Sequence, residues 1–285
     1  MEKTALILEG GAMRTTFSAG VLDVFLENKI DDFNGLFGVS AGALTGISFL
    51  SKQPGRTKDI SINYINDRRY VSVTNLVFKH SMYDFDFLFH DISDKLMPLD
   101  HETFQNSSCN FTAVATNCET GETEYFEKSD CEDIFAAVRA SSSLPLISPM
   151  IEINGKKLLD GGITNAVPYQ KAIDEGYEKL VIVLTREHGF RKHMETNTTM
   201  HVLRRFYPNY PNLIRALFNM HKIYNRERNE IDKLELEGKA FVIRPIEPIT
   251  MTRVEKNIEK ISALYEEGRT VAENQLEALK QFLVS

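Results

Sequence analysis

The residues of this chain best suited to chemistry are Gly38-Val39-Ser40-Ala41-Gly42, a serine with glycine two positions away on either side. Where such a pentapeptide joins a strand to a helix, the turn is too tight for side chains at the glycine positions, and the serine hydroxyl is held out above the sheet. The N-terminus of the following helix then favours negative charge developing beside it. Ser40 so placed is a nucleophile, although an ordinary tight turn can have the same composition. Two further glycine segments could serve it. The backbone N–H groups of Gly10-Gly11-Ala12-Met13-Arg14 could point at a tetrahedral oxyanion. A dinucleotide-binding turn is the alternative there, but Ala12 and Thr15 occupy positions where that fingerprint requires glycine. Asp160-Gly161-Gly162 offers a carboxylate on a turn whose glycines let another backbone approach, or else a plain Asp-Gly turn.

The apolar pattern puts each segment at an element boundary. Thr4 to Leu8 reads as a buried strand, followed by the first glycine turn and by helical spacing through Phe17, Val21, Leu22, Phe25 and Leu26. Leu36 to Val39 reads as a second strand that breaks at Ser40 into a second helix through Ile47 and Leu50. From Gln53 to Gln105 the pattern is mixed, and the aromatic stretch Phe85 to Phe89 suits core packing, with an acyl pocket or lid as the alternative. Asn110 to Thr116 and Glu122 to Phe126 read as paired strands, and Cys131 to Ala140 as an amphipathic helix. Ile151 to Leu159 reads as a hairpin turning at Asn154-Gly155 and delivering Asp160 to a strand end. Pro168 to Gly176 suggests a helix, and Lys179 to Thr185 is the strongest buried-strand signal. Beyond Glu187 the chain turns to long charged helical segments, with a last strand at Phe241 to Ile246 and a closing helix from Arg253 to Leu283. Alternating strands and helices imply a largely parallel sheet covered on both faces.

An α/β-hydrolase would place its nucleophile after a third-strand oxyanion loop and would need a histidine after it. Ser40 follows only two strands, and none of His80, His90, His101, His188, His193, His201 and His221 stands in a recognisable catalytic context. A base other than histidine is required, and Asp160 is the candidate.

The three segments, in this order and spacing and with Ser141 to Leu146 between the last two, resemble the patatin-like phospholipase family over roughly Ala5 to Leu184. The resemblance implies a three-layer α/β sandwich with a largely parallel central sheet and helices on both faces. It implies a Ser40–Asp160 dyad, an oxyanion turn at Gly10, Gly11, Ala12, Met13 and Arg14, elbow glycines at Gly38 and Gly42, and an Asp-Gly-Gly turn completed by Gly161 and Gly162. Ala12 and Thr15 depart from the family's usual glycines. The expected activity is hydrolysis of phospholipid or lysophospholipid acyl esters through an acyl-enzyme, without cofactor or metal. A soluble carboxylesterase or thioesterase, or a weakly active lipid-binding protein, would use the same elbow. The expected organisation is a catalytic domain over 1–186 and a helical C-terminal region over 187–285.

The whole chain agrees with a globular enzyme. Its 285 residues can bury an ample core, and with Asp and Glu outnumbering Lys and Arg by 40 to 33 it lacks the basic surface that nucleic acid demands. The basic cluster from Arg186 to Arg205 reads as a solvated loop, with an anionic membrane surface as the alternative. Cys109, Cys118 and Cys131 match no zinc spacing and fit a reducing cytoplasm. No window approaches the ~20 apolar residues of a membrane span, so lipid contact would be peripheral.

Overall fold

The computed structural model describes residues 2–72, 75, 81–252 and 254–285. Eight strands among them form one sheet: β1 (Thr4–Leu8), β2 (Gly35–Val39), β3 (Asn110–Asn117), β4 (Thr123–Glu127), β5 (Ile151–Ile153), β6 (Lys156–Asp160), β7 (Lys179–Val183) and β8 (Ala240–Ile243). The order is β5-β6-β3-β2-β1-β7-β8, with β4 also paired to β3. The five strands from β3 to β8 run parallel, whereas β4, β6 and the β5–β6 hairpin add antiparallel pairs beyond β3. Every residue of β1 and β2 is buried, as expected of parallel strands covered on both faces.

The two-residue period of β1 divides the core into two layers. Leu6 and Leu8 face a cluster containing Phe17, Val21 and Phe25 of α1 (Thr15–Glu27), Ile47 and Leu50 of α2 (Ala41–Leu50), and Leu264, Val271 and Leu279 of the last helix. Ala5 and Ile7 face the opposite cluster, with Ala172, Tyr224, Ile231 and Val242. The intervening helices are α3 (Arg56–Tyr64), a π-helix (Phe87–Leu96), α4 (His101–Asn106), α5 (Ile134–Ser141), α6 (Tyr169–Asp174), α7 (Asn197–Phe206), α8 (Pro211–Leu236) and α9 (Ile258–Val284). Residues 187–285 add β8 to the sheet edge, α8 to one layer and α9 to the other.

Two local expectations need correction. The basic stretch is not wholly a loop: Thr196 caps α7 by accepting the Thr199 N–H, and Met200 and Leu203 are buried on its inner face. The closing helix begins at Ile258, capped by Asn257, and Arg253 lies outside the described residues, as does His80. In the aromatic stretch Phe85 and Leu88 pack with Ile60 and Ile92, the core role expected of it, and they also line a cavity described below.

Candidate active site

Ser40 stands between β2 and α2 with φ 56° and ψ −131°, a conformation that a side-chain-bearing residue adopts only when its surroundings enforce it. The elbow glycines are part of that enforcement. A Cβ at Gly38 would overlap the Ala43 backbone, and one at Gly42 would lie 2.6 Å from the Leu8 carbonyl oxygen. The Ser40 carbonyl accepts from the Ala43 N–H at 2.9 Å, starting α2, and the Ser40 N–H donates to Ser141 Oγ at 2.8 Å. The residue is 9% exposed, so the hydroxyl is reached only through the cavities around it.

The first glycine turn lies directly against Ser40, since a Cβ at Gly10 would come within 2.8 Å of the Ser40 Cβ. The turn is tied to the end of β7, where Thr185 Oγ1 donates to the Gly10 carbonyl at 3.0 Å and the Thr185 N–H donates to Glu9 Oε2 at 2.6 Å. Residues Ala12–Arg14 form one 3₁₀ turn leading into α1. Thr15, where the family commonly has glycine, closes the turn by donating its hydroxyl to the Ala12 carbonyl at 2.8 Å. Ala12 adopts φ 50°, the left-handed region in which its Cβ is strained. Replacing Ala12 with glycine is therefore expected to stabilise the protein by about 0.5–1 kcal/mol, the relieved strain exceeding the added entropy of the unfolded chain. A thermal melt of Ala12→Gly checks this, and a lower midpoint would show that the surroundings absorb the strain.

Asp160 ends β6 and is 4% exposed. Its N–H donates to the Ser143 carbonyl at 2.8 Å, its carbonyl accepts from Thr116 Oγ1 at 2.9 Å, and its Oδ1 accepts from the Gly162 N–H at 2.8 Å. A Cβ at Gly161 would overlap the Val114 carbonyl, so the turn rests on β3 backbone. Residues Ser141 and Ser143 thus bracket the site, one holding the Ser40 amide and the other the Asp160 amide.

Two cavities meet at Ser40, Ala12 and Leu144, which line both. One, of about 340 Å³, is walled largely by apolar side chains such as Leu44, Ile47, Ile60, Phe85, Leu88 and Phe135. The other, of about 360 Å³, holds Gly10, Gly11, Arg14, Asp160, Arg186 and Lys192. Three elements of the second cavity escaped the motif reading: the loop after β7, with Arg186 and Lys192; α7, with Leu203; and α8, with Leu217 and Tyr224. Only the cluster of basic residues from Arg186 onward signalled them. Burial lowers the Lys192 ammonium from its ordinary value and pushes the Glu227 carboxyl on α8 up to about 8. His90 and His101 line the apolar cavity and His193 the polar one. Among the described residues no group of three His, Cys, Asp or Glu side chains could hold a metal ion, and no helix is long and apolar enough to cross a membrane.

The sequence profile of the Patatin-like phospholipase family matches residues 6–173, more than half of the chain, and the chain belongs to that family. A second profile, for a domain of unknown function, matches residues 210–284. The chain is 31% identical over 189 residues to the Uncharacterized protein YjjU of Escherichia coli (strain K12), a match covering 64% of this chain and 52% of that protein. It therefore spans about half the length of that relative. Among solved structures, VipD from Legionella pneumophila is similar with a TM-score of 0.52 at 14% identity, over 97% of this chain and 67% of that one, a likeness of fold alone. The type III effector protein ExoU aligns with a TM-score of 0.43 at 14% identity, over 97% of this chain and 53% of that one.

Proposed function

We propose that this chain is a serine acyl hydrolase cleaving phospholipid or lysophospholipid acyl esters, with Ser40 as nucleophile and Asp160 as its base. The observation that carries the reading is the position of Ser40 where an apolar cavity meets a polar one containing both Asp160 and the Gly10–Arg14 turn. As Ser40 Oγ attacks the ester carbonyl, Asp160 takes its proton, and the oxyanion is stabilised by amides of Gly10, Gly11, Ala12 and Met13. The C–O bond to the alcohol then breaks and Asp160 returns the proton to the leaving oxygen. A water molecule deprotonated by Asp160 then attacks the acyl carbonyl, the bond to Ser40 Oγ breaks to release the acid, and Asp160 returns the proton to Ser40. The first proton transfer is uphill, because an ordinary carboxylate is a far weaker base than an alkoxide. The positive end of α2 and the preorganised turn must lower the cost of the charge that develops.

In this reading residues 1–186 hold the reacting groups, while 187–285 complete the second cavity through Lys192, Leu203, Leu217 and Tyr224. Met194, Val202 and Phe206 are exposed on the segment that also carries the cavity-lining His193, Glu195, Thr199 and Leu203, and they suit peripheral contact with a lipid surface. Three free cysteines suit a reducing, cytoplasmic setting.

Labelling with a fluorophosphonate followed by mass mapping tests the nucleophile. The expected result is a single phosphonylated peptide containing Ser40 and none in Ser40→Ala. A folded wild type that takes up no label would leave a binding role instead.

A further inference from the structure

The polar cavity has a wall that the dyad chemistry does not use. The loop after β7 is clamped to α8 at Lys192, whose N–H donates to Asn225 Oδ1 at 2.7 Å and whose carbonyl accepts from Asn225 Nδ2 at 2.9 Å. The Lys192 ammonium lies 4.1 Å from the centre of the Tyr224 ring. Among the described residues no carboxylate is within 4.0 Å of it.

The carboxylates that face this ammonium have other tasks. Glu9 accepts from the Thr185 N–H at 2.6 Å and from the Tyr224 hydroxyl at 2.8 Å. Glu227 accepts from the Ala166 N–H at 3.3 Å, and burial, by raising its carboxyl to about 8, keeps it mostly protonated at neutral pH. Asp160 accepts from the Gly162 N–H and serves as the dyad's base. Of the cations that line the same cavity, Arg191 is paired with Asp232 at 3.0 Å, and Arg14 and Arg186 line it as well. The Lys192 side chain is half-buried, its ammonium is partly desolvated and without an ion pair, and an anionic ligand would offset that desolvation.

We propose that Lys192 determines specificity on the alcohol side of the substrate by binding a phosphate ester carried by the leaving alcohol. The proposal rests on the acyl-hydrolase reading. Asp160 has to reach the leaving oxygen, so the alcohol occupies the cavity of Asp160 and Lys192, and the acyl chain occupies the apolar one. A lysine is a compact point charge suited to phosphate, and Arg14 and Arg186 add further positive charge to the same cavity. A one-chain acyl glycerol phosphate is a substrate with one part for each cavity.

The test compares 1-octanoylglycerol 3-phosphate with uncharged 1-octanoylglycerol, both below their micelle concentrations, in wild type, Lys192→Gln and Lys192→Arg. Wild type is expected to favour the phosphate ester in kcat/KM at least tenfold. Lys192→Gln should bring that ratio close to one, mainly through KM, and Lys192→Arg should keep most of it. A ratio near one in wild type, or equal losses on both substrates in Lys192→Gln, would overturn the proposal. Binding of the same phosphate ester to Ser40→Ala, measured by calorimetry, needs no turnover. The added Lys192→Gln change should weaken it at least tenfold, and unchanged affinity would count against the subsite. A wild type that hydrolyses neither ester while this binding loss persists would remove the hydrolase reading and leave the subsite standing. Inorganic phosphate competing as well as glycerol 3-phosphate would instead mark a free-phosphate site and overturn the assignment to an ester.

Discussion

Asp160→Asn is expected to lower kcat on an acyl ester by roughly three to four orders of magnitude while leaving the fold in place, the scale associated with losing a general base. An asparagine oxygen can still accept from the Gly162 N–H, and the backbone bonds to Ser143 and Thr116 do not depend on the side chain. What the amide cannot do is take the Ser40 proton. Fluorophosphonate labelling should slow in parallel, since it requires the same proton transfer. Residual activity above about a tenth of wild type would move the base elsewhere, and His193, which lines the same cavity, would be the first alternative.

Gly20→Ala combined with Gly268→Ala is expected to be the most damaging small change away from the site. Helices α1 and α9 cross in backbone contact: a Cβ at Gly20 would overlap the Tyr265 carbonyl oxygen, and one at Gly268 would overlap the Phe17 carbonyl oxygen. The same seam carries Tyr265 Oη donating to Asp23 Oδ2 at 2.6 Å and the two-point pair of Arg269 with Glu27 at 2.8 and 2.7 Å. Alanine improves helix propensity by about 1 kcal/mol at each position, but forcing the helices apart weakens every contact along the seam. The net loss should be roughly 3 kcal/mol, lowering the melting midpoint by about 2–4 °C per kcal/mol. Asn274→Ala, on the exposed face of α9, should leave the midpoint nearly unchanged. If the double variant melts with wild type, the close approach of these helices contributes little to stability.

The parts of the fold legible in the sequence are those with local causes. The residues Thr4–Leu8 and Lys179–Val183 are recognisable as central parallel strands because burial on both faces requires a continuous apolar run. The β5–β6 hairpin is recognisable because Asn154 and Gly155 adopt φ 52° and 75°, as a two-residue turn of that hand requires. The three glycine segments are visible because each has glycines where backbone or neighbouring atoms leave no room for a Cβ. The stretch from Gln53 to Gln105 was the least legible. Its aromatic residues contribute both to a core cluster and to the wall of a cavity, and these two uses impose the same apolar pattern.

The amino-acid sequence alone thus determined the motif positions, the strand-and-helix alternation and the family, because sterics between near neighbours restrict which residue types can stand at a turn or on a buried strand. Tertiary structure decided the rest. Gly20 and Gly268 look like two weak helix formers until α1 crosses α9. Lys192, Tyr224 and Leu203 belong to the cavity of Asp160 only because α7, α8 and the loop after β7 pack beside a strand end far from them in sequence. Such residues are selected by the shape and charge of distant partners, and that complementarity leaves no periodic or local trace in the chain itself.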